Sequence, residues 1–149
     1  MTRDFVKLYQ GRQKRRQRAR EWYETSLGML GRLQQAAHRA TVYQDEPDYG
    51  SLRERLEPLT EEMIEHANSA PSKVSEQARI DMATLSAFAT GLVIISEQCE
   101  GMSWEHCEQT VEATVSAVSG ITTTTADETA QQVEIFGRPP NRMQSAQVG

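Results

Sequence analysis

Apolar residues recur three and four positions apart along most of this chain, and the alternation of a half-buried strand is almost absent before residue 110. This pattern predicts an all-α fold, a bundle of about four helices with a long N-terminal helix and an extended C-terminal tail. The first helix is predicted from about Thr2, whose hydroxyl suits an N-cap, to about Thr41. It carries Phe5, Leu8, Tyr9, Trp22, Tyr23, Leu27, Leu30, Leu33, Ala37 and Ala40. At the rise of an α-helix it would be about 60 Å long. Gly11, Gly28 and Gly31 each disfavour a helix interior by about 1 kcal/mol relative to Ala, so they mark places for a kink or for close approach of a neighbouring helix.

Tyr43 to Gly50, with Asp45, Glu46, Pro47 and Asp48, reads as an acidic turn. Ser51 and Glu54 then have capping-box spacing, and Leu52, Leu56, Leu59 and Met63 form the stripe of a second helix that Pro58 is expected to break. Ser69 to Ser72, around Pro71, is predicted to open a third helix reaching about Glu100 through Val74, Ala78, Met82, Leu85, Phe88, Leu92 and Ile95. Ala83, Ala87 and Gly91 form a small-residue line that reads as tight packing inside the bundle, with self-association as the alternative. Gly101 to Ser103 links to a fourth helix, Trp104 to about Ser119, striped by Cys107, Val111, Val115 and Val118. Residues 121–149, which begin with a run of threonines, lack the apolar content to fold alone and are predicted to be a tail on a 1–120 bundle. Ile135 and Phe136 would anchor that tail on a neighbouring subunit.

Size and composition narrow the setting. A chain of 149 residues can bury roughly 68–70% of its unfolded surface in one domain. Two cysteines, Cys99 and Cys107, cannot make a disulfide framework, and no secretory leader is visible, so an intracellular or virion-like location is expected. The uncharged run Met82 to Ser96 is shorter than the roughly 20 residues of a spanning helix, so a buried helix and no membrane insertion are expected.

Charge changes the picture most. Arg3, Lys7, Arg12, Lys14, Arg15, Arg16, Arg18 and Arg20 against Asp4 make residues 1–20 +7, and the rest of the chain −12, for the total of −5. The face that is apolar at Phe5, Leu8 and Tyr9 and again at Trp22 and Tyr23 runs through Arg12, Arg15 and Arg16 in between. Those cations need water, acids or a polyanion against them. Arginine suits phosphate, which its planar fork holds with two hydrogen bonds.

Gly11 to Arg20 resembles the arginine-rich RNA-binding peptides, including the basic segment of the lentiviral transactivator Tat, and also nuclear-import signals. The resemblance covers ten residues and implies nucleic-acid binding by Arg12, Lys14, Arg15, Arg16, Arg18 and Arg20. Arg32 and His38 have the Arg-x5-His spacing of HEPN ribonucleases, a helical family that uses such a pair on RNA, although Leu33 stands where that family usually has a polar residue.

Other chemistry is sparse. Seven residues separate Cys99 from Cys107, whereas zinc sites favour pairs two to four apart. Glu97, Glu100, Glu105, His106 and Glu108 surround them, and Glu62 and His66 are a helical turn apart, but neither set repeats a di-iron pattern. The expectation is no metal site, no cofactor and no enzyme. The sequence therefore predicts a structural subunit of a nucleoprotein or viral-type particle that touches RNA or DNA through the basic helix. Phe5, Leu8, Tyr9, Ile135 and Phe136 would contact neighbouring subunits. The alternatives are a protein-only adaptor with an acidic partner and a HEPN-like ribonuclease.

Overall fold

The computed structural model describes residues 2–42, 49–99 and 104–138, and these form four helices with no strand among them. They are α1 (Thr2–Val42), α2 (Tyr49–Asn68), α3 (Glu76–Cys99) and α4 (Trp104–Gly137). The main packing partners are α1 with α4 and α2 with α3, and the ring closes through α3 with α4 and α1 with α2. The all-α bundle read from apolar spacing is thus the observed fold. Short links between antiparallel neighbours lead naturally to this arrangement.

The core is one continuous cluster. Ala19, Trp22, Tyr23, Leu30, Leu33 and Ala37 of α1 meet Leu56, Leu59 and Met63 of α2, Met82, Leu85 and Leu92 of α3, and Val111, Val115 and Val118 of α4. Each set repeats at helical spacing, so one face of each helix is stripped of water when the four come together.

Several boundaries differ from the sequence expectation. Helix α2 runs through Pro58 without ending. Pro58 and the preceding Glu54 and Glu57 lie on the exposed side, where water can serve a carbonyl that loses its amide partner, while Leu56 and Leu59 hold the other side in the core. The third helix starts at Glu76, after a turn closed by the Val74 amide donating to the Pro71 carbonyl at 3.1 Å. Its cap is Ser75, whose Oγ accepts the Ala78 amide at 3.1 Å, and the Ser75 amide itself donates to the Tyr23 hydroxyl at 3.1 Å. The acidic turn at 43–48, and the side chain of the predicted Ser51 cap, lie outside the described residues.

The largest correction concerns the fourth helix. It continues through the threonine run to Gly137, so the predicted tail boundary at 120 falls inside it. Val111, Val115, Val118, Thr122, Thr125 and Thr129 are all buried and keep alternating steps of three and four. The hydroxyls of Thr122 and Thr129 donate to the carbonyls of Val118 and Thr125 at 2.6 and 2.7 Å, which satisfies them inside the helix. Threonine can then fill the core as valine does, and packing outweighs its weak helix propensity.

Glycines and small residues also sit differently from expectation. Helix α1 is continuous through all three of its glycines. A Cβ built on Gly28 or Gly31 would meet nothing within 4 Å, so neither admits a neighbouring helix. Ala83 and Ala87 are exposed, and Phe88, expected in the core, is 40% exposed. The buried side of α3 is formed by Met82, Leu85, Ser86, Ala89, Leu92, Val93 and Ser96. Helix α3 is long and apolar enough to cross a membrane by length and composition, and one of its faces packs in the bundle.

Candidate functional site

The basic segment divides into two parts. Arg12, Lys14, Arg15 and Arg18 are exposed on α1. Arg16 is half-buried: its guanidinium carbon stands 5.2 Å from the centroid of the Phe136 ring, and its Nη2 donates to the Ile135 carbonyl at 3.3 Å. Arg20 pairs with Glu24 at 3.0 Å and lies against Gly137. The last turn of a helix carries unpaired carbonyls and partial negative charge, which is what a cation stabilises. Two of the six expected phosphate contacts therefore serve the end of α4 within the same chain.

Phe136 docks internally as well. Its ring stacks on Tyr23 with centroids 5.6 Å apart. Ile135, the other expected anchor, is 46% exposed. Beyond the end of α4, Phe5, Leu8 and Tyr9 are exposed on α1, with Gln13 Nε2 donating to the Tyr9 hydroxyl at 3.0 Å.

A polar cluster joins α1 to α2. The His66 ring stacks on Trp22, and its Nε2 lies 2.8 Å from Ser26 Oγ and 3.1 Å from the Trp22 carbonyl. Ser26 Oγ donates to that same carbonyl at 2.9 Å. In the tautomer with the hydrogen on Nε2, the imidazole donates to that carbonyl. The cluster ties α1 to α2. Glu62 is engaged by Arg32, so the Glu62 and His66 pair does not converge as a chelate. Arg32 and His38 project from different sides of α1, six positions apart, and Arg32 spends its charge on Glu62.

Among the described residues no group of three or more His, Cys, Asp or Glu side chains is close enough to hold a metal ion. One corner has the right donors in sequence. Cys99 is a buried residue in the last turn of α3, and His106 and Cys107 lie in the first turn of α4, with side chains outside the described residues. Two thiols and an imidazole form the donor chemistry that soft and borderline heavy metals prefer.

The fold defines an all-α four-helix bundle. Within it, residues 97–144 match the family model of the heavy-metal-associated domain, which takes in less than half of the chain. No curated protein and no solved structure matches the chain. The matched stretch begins two residues before Cys99, spans the α3–α4 corner and contains both cysteines of the chain. This similarity overturns the expected nucleoprotein or viral-type subunit, because the likeness is to a metal-associated domain and not to a nucleic-acid-binding or particle protein.

Proposed function

We propose that this protein binds a heavy-metal ion as its cargo at the α3–α4 corner, through the thiols of Cys99 and Cys107 and the imidazole of His106. The match of residues 97–144 to the heavy-metal-associated domain carries this reading. The chemistry supports it. Thiolates bind soft ions strongly once deprotonated, so uptake releases protons and weakens as pH falls. Glu97, Glu100, Glu105 and Glu108 place further negative charge around the corner, which raises the local concentration of cations. Reduced thiols accord with an intracellular setting. A binding role needs none of the acid–base pairs of a catalyst.

The test is a competitive titration of the full chain with Zn²⁺ and with Cu⁺ against a chromophoric chelator, under reducing conditions. One ion per chain is expected. The double variant Cys99→Ser, Cys107→Ser should lose at least about 100-fold in affinity, because changes to supporting residues alone cost 10–100-fold. Equal binding by the native chain and by a folded double variant would refute the assignment.

A further inference from the structure

The outward face of α3 is apolar and is left uncovered by the described residues. Ile80 and Ile94 are each 49% exposed, and Ala83, Thr84, Ala87 and Phe88 are exposed between them. No charged residue occurs between Asp81 and Glu97. A Cβ placed on Gly91 would meet no atom within 4 Å, so the small-residue line looks onto open space. Contiguous exposed apolar patches on a folded chain are often functional.

The arrangement of this face identifies its occupant. Ile80, Ala83, Ala87, Gly91 and Ile94 stand at −7, −4, 0, +4 and +7 around Ala87, a symmetric spacing with isoleucine at both ends and small residues between. In an antiparallel pair with a two-fold axis at Ala87, Ala87 meets its own copy. Ala83 then meets Gly91 of the second copy, and Ile80 meets Ile94. Small residues at the centre bring the helix axes toward the lower end of the usual 8–10 Å separation, and the isoleucines close the two ends.

Charge agrees with that direction. Arg79 and Glu97 are eighteen positions apart, five full turns, and so lie along one edge of α3. Like edges face each other in an antiparallel pair, so Arg79 of each chain comes near Glu97 of the other. In a parallel pair the two-fold axis puts these edges on opposite sides of the interface, so neither Arg79 nor Glu97 gains a partner there.

We propose that α3 is a homodimerisation helix and that its uncovered face is an isologous interface with a second copy of this chain. Confined to one face of one helix, the interface is at the small end for a stable complex, so the dimer is reversible, with a dissociation constant in the micromolar range or weaker. A lipid surface would accept the apolarity but makes no use of the two-fold spacing or of the Arg79 and Glu97 edge.

Sedimentation of the full chain from about 1 to about 500 µM, a range that brackets such an affinity, with chelator present, tests this independently of metal binding. The average mass should rise from 16.8 kDa toward twice that value. Ala87→Glu sets two carboxylates on the axis and should weaken the dimer at least about 100-fold, while helicity stays unchanged because Ala87 is exposed. Mild oxidation should cross-link Ala87→Cys to itself. Ala83→Cys and Gly91→Cys should cross-link only when mixed, with the native chain as control for Cys99 and Cys107. The inference is overturned by a chain that stays at 16.8 kDa throughout, or by an Ala87→Glu variant that dimerises like the native chain. Binding to phosphatidylcholine vesicles without self-cross-linking of Ala87→Cys would also overturn it, and would assign the face to lipid.

Discussion

The imidazole of His66 lies flat on the indole of Trp22, with ring centroids 4.4 Å apart and planes within 7°, and Trp22 Nε1 donates to the His66 carbonyl at 2.9 Å. Each residue thus contributes a ring and a hydrogen-bonding group to the same joint between α1 and α2. The joint keeps aromatic surface dry while leaving no buried polar side-chain atom unpaired among the described residues.

Burial lowers the pKa of His66 below its ordinary 6.5, an effect partly opposed by the hydrogen bond to the Trp22 carbonyl. As pH falls through 6.5 the unfolded chain takes up the proton before the folded chain does. The stabilising contribution is therefore complete above pH 6.5 and declines below it, down to the lowered folded value. Melting temperatures measured from pH 7.5 to 5.5 should fall more for the native chain than for His66→Phe, which keeps a ring on Trp22 but cannot titrate. Equal slopes would show that His66 does not couple folding to protons.

Phe136 holds the end of α4 against Tyr23 and Arg16. Phe136→Ala should destabilise the fold by about 2 kcal/mol, less than a fully buried phenylalanine because the ring is only half-buried. Arg16→Gln removes the cation over that ring and the donor to the Ile135 carbonyl, and should cost about 0.5–1 kcal/mol. Denaturant unfolding gives both values, and hydrogen exchange should show the loss of protection concentrated in residues 130–137. A Phe136→Ala variant as stable as the native chain would mean that this contact does not hold the helix end.

Gly28 and Gly31 lie in the middle of α1 with open space where a Cβ would stand. Alanine restricts the unfolded chain and favours the helix, so Gly28→Ala and Gly31→Ala should each stabilise by about 0.5–1 kcal/mol. Gly137→Ala should gain less, because Gly137 is the last residue of α4 and its Cβ, 3.3 Å from the Arg20 guanidinium, makes that flexible side chain shift. Chemical denaturation of the three variants side by side distinguishes these outcomes.

The spacing of Leu30, Leu33, Leu56, Met63, Leu85, Leu92, Val111 and Val115 was enough, without any coordinates, to determine four helices and most of their buried sides, because amphipathic period is a local property that each helix carries alone. The same local logic failed where a residue's role depended on a distant partner. Thr122, Thr125 and Thr129 read as part of a tail until the packing of α4 in the bundle is seen to bury them. Arg16 and Arg20 read as phosphate contacts, and the last turn of α4 lies beside them. Ala83, Ala87 and Gly91 read as bundle packing, yet α2 and α4 meet α3 on its other side and leave that line facing out. Sequence determines which faces need to leave water; only the packing of four helices at once decides which neighbour each face receives.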